Sequence, residues 1–366
     1  MKRVLLAGAG HAHAVLLDAL AQEPLYGARI TLVSPHARQL YSAMLPGVIA
    51  GHYEREEAEF DVAAMAERAF VEFVPGAIAR LDTVRRVALL ADGRQIHYDI
   101  ASLNVGSRTA DETPGAAERA LPVKPYERLL ERVRYNAHIA IAGGGAAGAE
   151  LAMALRHRGA IVTLYSADSP FPPWLAQRLE RVLRRRGVDY RPGMRADAVE
   201  PGPVIIAGQA QQQFDMVLWA AGAAPIGWLE RSGLARDEQG FVQVDETLRS
   251  VSHPEVFAAG DCAATGEAKA GVYAVRQGAL LAQNLRALVK GTALLPYERR
   301  PHALLLITCG ARYAIATRGA WSAQGHWVWW WKNWIDRRWM ARLRGEKLKP
   351  RKSGTEPELD RGRSPK

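Results

Sequence analysis

The chain has 366 residues, 48% of them hydrophobic and 23% charged, the make-up of a globular protein of about two domains. Its two cysteines, Cys262 and Cys309, stand far apart, which argues against a disulfide framework, a zinc ribbon and a Cys-x-x-Cys dithiol. No window approaches the ~18 uninterrupted apolar residues of a membrane span. Gly8, Gly10, His11 and His13 interrupt the run after Met1-Lys2-Arg3 too early for a signal peptide, so the cytoplasm is the expected compartment. The net charge of +10 is uneven: Lys332 to Lys352 hold nine basic residues against two acidic ones, and an anionic surface or plain water is their expected partner.

Taken in chain order, Arg3 to Ala7 reads as a strand, His13 to Gln22 as a helix and Arg29 to Val33 as a second strand. Gly8-Ala9-Gly10 lies in the turn, with His13 where a third glycine is usual and Ser34 where an acid for ribose hydroxyls is usual. Gln39 to Tyr53 reads as a loop with a short helix, and Val62 to Ala69 as a helix. Val71–Val74, Ala77–Leu81, Arg85–Leu90 and Gln95–Tyr98 read as strands around an Asp92-Gly93 turn. Ile100 to Val105 is a buried strand ending at Gly106-Ser107, and Pro122 to Tyr135 leads through a helix to mid-chain.

There the run His138 to Ala142 ends in Gly143-Gly144-Gly145-Ala146-Ala147-Gly148, followed by a helix and the strand Ala160–Tyr165. Gly143 permits the turn, Gly145 lets backbone approach a pyrophosphate, and Gly148 lets the helix pack close to the strand. A glycine-rich structural turn is the bland alternative. Leu175 to Arg186 is a further helix, whose Arg184-Arg185-Arg186 end suits a solvated helix terminus. Met216–Ala221 runs into Gly222, and Val256 to Ala259 ends in Gly260-Asp261-Cys262. Gly271–Lys290 is a long helix, and Ala303 to Trp331 reads as short strands with turns at Gly310, Gly319 and Gly325. A last helix runs from about Lys332 to Arg344, and the tail from Lys347 has the composition of a disordered segment. No repeat is read beyond the two β-α-β units.

This pattern predicts an α/β protein with two Rossmann-like dinucleotide-binding domains, one inserted in the other, and a small C-terminal α+β region. The expected boundaries are 1–115 with 226–296, then 116–225, then 297–346, then the tail 347–366. The first unit and the Gly260-Asp261 strand would hold one cofactor, with Asp261 accepting from ribityl hydroxyls. The second unit would dock a mobile nucleotide.

At these residues the chain resembles the two-dinucleotide-binding-domain flavoproteins, the pyridine nucleotide-disulfide oxidoreductase family that includes type II NADH dehydrogenases. It is most similar to the branch found fused to the N-terminus of selenide, water dikinase. The resemblance covers about residues 1–344. It rests on Gly8-x-Gly10-His11-Ala12-His13, Tyr41-Ser42-x-Met44-Leu45-Pro46-Gly47 with Ala50-Gly51-His52-Tyr53, and Ser102-Leu103-Asn104-Val105-Gly106-Ser107. Pro122-Val123-Lys124-Pro125, Gly260-Asp261-Cys262 and Trp329-x-x-Lys332-x-x-Ile335-Asp336 complete it. The resemblance implies FAD in the first site and NADH or NADPH in the second, with hydride passing to the flavin and electrons to an acceptor such as a membrane quinone. Gly8, Gly10, His11, Ser34, Tyr41, Pro46, Gly106, Lys124, Gly260 and Asp261 are the expected FAD contacts. Gly143, Gly145, Gly148, Glu150, Ser166 and Gly222 are those for NAD(P)H, and no metal site is expected.

In the last helix Trp331, Trp334, Ile335, Trp339 and Leu343 are read as one stripe, with Lys332, Asp336, Arg337 and Arg344 elsewhere. Such a helix fits a peripheral membrane contact through residues 327–344, or packing against the chain's own core or a partner. Two further readings stay open: a sulfide- or selenium-related oxidoreductase, and a non-catalytic redox sensor. Nucleic acid binding is not expected, because the basic run lacks a reading motif.

Overall fold

The computed structural model describes residues 1–299 and 302–346, so the tail from Lys347, read above as disordered, lies outside the described residues. Its helices in chain order are α1 (His11–Gln22), α2 (Leu45–Ile49), α3 (Val62–Arg68), α4 (Ala116–Arg119), α5 (Tyr126–Arg132), α6 (Ala146–His157), α7 (Pro173–Arg185), α8 (Gly271–Lys290) and α9 (His326–Arg344).

Two parallel sheets organise the chain. The first has the spatial order Val256–Ala258, Ile100–Leu103, Lys2–Ala7, Ala28–Ser34, Glu72–Pro75. Its central strands are buried on both faces and are near-continuous apolar runs; all four residues of Ile100–Leu103 are buried, whereas the edge strand Glu72–Pro75 is partly exposed. On one face α1 lies against α8. They approach so closely at Gly278 that a Cβ there would stand 2.4 Å from the Ala12 carbonyl oxygen. The second sheet has the order Leu121–Pro122, Met216–Trp219, His138–Ala142, Ile161–Ser166, Asp189–Pro192, again all parallel. The chain completes this whole sheet before Val256–Ala258 returns to the edge of the first.

The internal repeat is longer than the sequence reading found. In each half three parallel strands are followed by a three-stranded antiparallel sheet and then a fourth parallel strand beside the first. The antiparallel sheets are Ile78–Asp82, Val87–Leu90, Gln95–His97 and Ala198–Glu200, Val204–Ala207, Ala210–Gln213. Each covers the sheet face opposite α1 or α6, building the small cores around Leu81, Ala88, Leu90 and around Val199, Ile205, Ala207. The strands between Asp189 and Gln213 were not read from the sequence at all, because polar residues and turns dominate there.

Leu305–Thr308, Ala314–Arg318 and Trp321–Gly325 form an antiparallel sheet on which α9 packs. Here the sequence reading is corrected twice. The helix begins at His326, not near Lys332, since Gly325 at φ +146° ends the strand and releases the chain into the helix. Its buried face is Val328, Trp329, Lys332, Asp336, Met340 and Leu343, whereas Trp334 of the expected apolar stripe is 57% exposed.

Candidate active site

Side chains from both sheets meet beyond the carboxyl ends of the parallel strands, where open α/β sheets place their ligand sites. Asp261 follows Val256–Ala258 of the first sheet, and Lys124 follows Leu121–Pro122 of the second. Lys124 Nζ donates to Asp261 Oδ2 at 2.7 Å and to Ser107 Oγ at 2.8 Å, and Ser107 Oγ donates to the same carboxylate oxygen at 3.0 Å. Burial opposes both charges. The Lys124 ammonium nevertheless holds the Asp261 carboxyl below the usual carboxylate range, and Tyr126 with Asp261 raises Lys124.

His11 joins this group. Its ring lies 5.4 Å from that of Tyr41, its Nε2 stands 3.5 Å from Ser42 Oγ, and the first residue of α8, Gly271, packs against it. Burial lowers the imidazole to about 4, so it is neutral near pH 7, with Asp261 and Lys124 pulling in opposite directions.

The two glycine turns are not equivalent. At Gly8, φ is +85° and a Cβ would lie 2.6 Å from the Asn104 carbonyl oxygen, so only glycine fits the turn. The Asn104 side chain then caps α1: its Oδ1 accepts from the Ala12 and His13 amides at 3.0 and 3.2 Å, and its Nδ2 donates to Ala259 O. This leaves fewer free N–H groups at the first helix N-terminus than its motif suggests. Asn104 lies in the quoted Ser102–Ser107 motif but was not among the expected contacts. Among the described residues no side chain caps helix α6 in this way, and its N-terminal N–H groups are open for an anion. There a Cβ on Gly148 would meet the Gly143 carbonyl oxygen at 1.8 Å.

The other expected contacts are placed as follows. Gly106 and Gly260 (φ +73° and +72°) flank the Asp261 cluster, and the Gly260 amide donates to Gln277 Oε1. Gly222 (φ +65°) stands at the carboxyl edge of the second sheet, and Gly145 faces open space, with Pro170 Cγ nearest at 4.0 Å. Ser34 Oγ donates locally to His36 O, and Pro46 is buried in the first turn of α2. Ser166 Oγ donates to Asp168 O and closes against Gly144. The Glu150 carboxylate is turned to the C-terminal sheet, accepting from the Thr308 amide and hydroxyl at 2.7 and 2.9 Å.

Behind Tyr41 lies a buried ion pair. Lys332 Nζ donates to Asp336 Oδ2 at 2.5 Å and to Ala43 O at 2.8 Å, with both side chains at most 5% exposed. Burial raises the carboxyl of Asp336, while Lys332 opposes it; burial also raises Tyr41, which lies against that carboxylate. Replacing Lys332 by methionine would strand Asp336 uncompensated. Urea denaturation of Lys332→Met should show a loss of about 3–5 kcal/mol, and Lys332→Met/Asp336→Leu should recover much of it. Neither cysteine contributes a reactive thiolate: both are free and fully buried, and burial pushes them up to about 11 (Cys262) and about 12 (Cys309).

The residues around Asp261 fit a flavin nucleotide. The cluster keeps Asp261 ionised with Oδ1 free of hydrogen-bonding partners among the described residues, ready to accept from hydroxyls. The start of α8, which no side chain caps among the described residues, adds a positive dipole end to the same space. A cluster that fits a flavin and a second glycine turn leading into a helix N-terminus are the parts of a flavoprotein that takes electrons from a pyridine nucleotide. The model of the pyridine nucleotide-disulphide oxidoreductase family matches residues 2–278, and the chain belongs to that family, as an oxidoreductase using FAD and NAD(P)H. It is 25% identical over 312 residues to the NADH dehydrogenase-like protein YutJ of Bacillus subtilis, covering 80% of this chain and 86% of that one. It is 24% identical to the type II NADH:quinone oxidoreductase of Haemophilus influenzae, over 72% and 74% of the two chains. Among solved structures, the sulfide:quinone oxidoreductase of Aquifex aeolicus matches with TM-score 0.77 at 16% identity, covering 94% and 92%. The water-forming NADH oxidase of Lactobacillus brevis matches with TM-score 0.74 at 22% identity, covering 87% and 75%.

Proposed function

We propose that the chain is an NAD(P)H:quinone reductase. The observation that carries this is the Lys124–Asp261–Ser107 cluster, which joins the carboxyl edges of the two sheets at the place where a resident cofactor and an exchangeable one would meet. When bound, FAD would supply the redox chemistry between the nicotinamide and the acceptor. The protein's own part is positional. Lys124 and Ser107 keep Asp261 ionised and oriented, neutral His11 and Tyr41 wall the site, and the α6 N-terminus holds the nucleotide phosphates.

A quinone acceptor is supported by the names of two relatives, the Haemophilus influenzae enzyme and a chloroplastic/mitochondrial NAD(P)H-ubiquinone oxidoreductase of Arabidopsis thaliana. It is supported also by Trp327, Trp330 and Trp334, exposed on α9, although no described helix is long and apolar enough to cross a membrane. The buried, high-pKa cysteines speak against a thiol-based sulfur or selenium reaction. The test is anaerobic mixing with NADH and then NADPH, followed by reoxidation with a panel of quinones. The expected result is a yellow protein that bleaches with nucleotide and is recoloured by quinone. A colourless, nucleotide-insensitive chain would overturn the reading.

A further inference from the structure

We infer that Gln277, Glu267 and Tyr297 are positioning residues for the flavin site: a hydrogen-bonded relay through them fixes the Ala259–Gly260 peptide and so aims the Asp261 carboxylate. None of the three is among the expected FAD contacts. The inference rests on the flavin site alone and not on the choice of acceptor.

The relay begins at the turn itself. The Gly260 amide donates to Gln277 Oε1 at 2.6 Å, and Asn104 Nδ2 donates to Ala259 O at 2.7 Å. One peptide unit, directly before Asp261, is thus gripped at both its polar atoms by side chains from different elements. Gly260 has φ +72°, and a Cβ there would stand 2.5 Å from Asn104 Nδ2, so the turn and its partners fit only as a set. Beyond the turn, Lys124 and Ser107 hold Asp261 Oδ2. Oδ1 is left for a ligand, and its direction is set by a backbone that cannot swing. The Gly260 N–H, donated to Gln277, is closed to a ligand; Gly260 serves the flavin through its conformation.

Gln277 is 1% exposed in α8, and a buried amide can face either way unless a neighbour chooses. Glu267 chooses. Its Oε2 accepts from Gln277 Nε2 at 3.1 Å, which leaves Oε1 towards Gly260. A carboxylate only accepts, so a flipped amide would set oxygen against oxygen. Glu267 is held in turn by Tyr297, whose hydroxyl donates to its Oε1 at 3.2 Å. Burial pushes the Tyr297 phenol up to about 12, with Glu267 adding to the rise, so it stays a donor near neutral pH. Among the described residues Glu267 makes no ion pair, and the amide and the phenol are what its carboxylate serves.

Tyr297 arrives by a return path. Gly291 at φ +72° ends α8 and turns the chain back along it. Asn284 catches the returning segment, accepting from the Leu295 amide at 2.8 Å and donating to the Leu295 carbonyl at 2.9 Å. The Tyr297 amide then donates to Glu246 O at 2.5 Å. A glutamine that merely filled a core would not need a carboxylate and a phenol from two loops to orient it. An acceptor ordered before binding spares the flavin the entropy of fixing Asp261, so the relay acts on retention of the cofactor.

The test rests on two near-isosteric exchanges. Gln277→Glu sets carboxylate against carboxylate across the 3.1 Å contact. Gln277→Glu/Glu267→Gln restores a donor and an acceptor at every link, with acid and amide traded. Flavin-free protein is titrated with FAD at pH 8, following fluorescence quenching and the visible absorption of the bound flavin. Gln277→Glu should raise the dissociation constant on the order of 100-fold, and the double variant should return to within about threefold of the unchanged chain. Glu267→Ala frees the Gln277 amide to turn; it should weaken binding about tenfold and shift the visible band, and it decides the matter even if Gln277→Glu does not fold. Asn284→Ala loosens the returning segment away from the relay, so it should lower the urea midpoint and leave the flavin constant unchanged. FAD bound equally by Glu267→Ala and the unchanged chain, or a double variant no better than Gln277→Glu, would overturn the inference. So would an Asn284→Ala chain that loses flavin as Glu267→Ala does, because the segment would then be a general brace. Each of these results leaves the reductase reading standing, which falls instead if quinone does not reoxidise the bound flavin.

Discussion

Gly148→Ala should raise the apparent dissociation constant for NADH on the order of 100-fold while the flavin spectrum persists. The added methyl would stand 1.8 Å from the Gly143 carbonyl oxygen and 3.0 Å from its carbon, both backbone atoms that cannot rotate aside. Relief requires α6 to move off the strand His138–Ala142, a distortion costing about 1–3 kcal/mol for overpacking of this kind. A shift of roughly 1 Å in a ligand-positioning element can cost 10²-fold in rate or binding. The Gly8 turn belongs to the other sheet, so loss of flavin should not follow. Gly145→Ala is the informative companion. Its nearest neighbour is Pro170 Cγ at 4.0 Å, so the fold accepts the methyl and only the approach of a pyrophosphate is obstructed. Anaerobic titration of flavin bleaching against NADH reads both variants. An unchanged constant in Gly148→Ala would remove the nucleotide from this turn.

That contrast also shows what can be read from a sequence. Glycine turns and the strands before them are recognisable by local spacing, so both β-α-β units were legible, although the backbone that enforces glycine at Gly8 and Gly143 comes from Asn104 and Ala220, far along the chain. Asn104 was harder, because an asparagine caps α1 only when a strand ninety residues later brings it there. The polarity of α9 misled for the same reason. Lys332 and Asp336 are charged and belong by pattern on the wet face. A lysine that satisfies a carboxylate and the Ala43 carbonyl together can be buried, and the helix rotates accordingly. The sheet Ala198–Gln213 escaped notice because its edge strand, Ala210–Gln213, is mostly exposed glutamine and carries no alternation.

The second large effect concerns acid. His13 stands where the motif usually has glycine, and its ring is fully buried, with Nδ1 2.5 Å from Gly8 O and Nε2 2.8 Å from Ser102 Oγ. A carbonyl can only accept, so Nδ1 carries the proton and Nε2 accepts from the serine hydroxyl: a neutral imidazole with both nitrogens satisfied. Burial lowers His13 to about 4, as it does His11. Unfolded, each would titrate near 6.5, as a free imidazole does. Below that value the unfolded chain binds protons that the native state refuses. Stability is therefore fully present above about pH 6.5 and is lost as pH falls towards 4. The loss approaches about 3 kcal/mol per histidine, a large share of the ~5–15 kcal/mol of an ordinary fold. The other carboxyls act in a different window. Asp261, held low, loses its contribution only as pH falls through its depressed value. Glu150 and Asp336, raised by burial, offset part of the histidine loss once they are protonated. Urea midpoints from pH 7 to 4 should fall steeply for the unchanged chain. His13→Asn, although less stable at pH 7, should lose about half of that dependence; a slope identical to that of the unchanged chain would show that His13 is not the group being titrated.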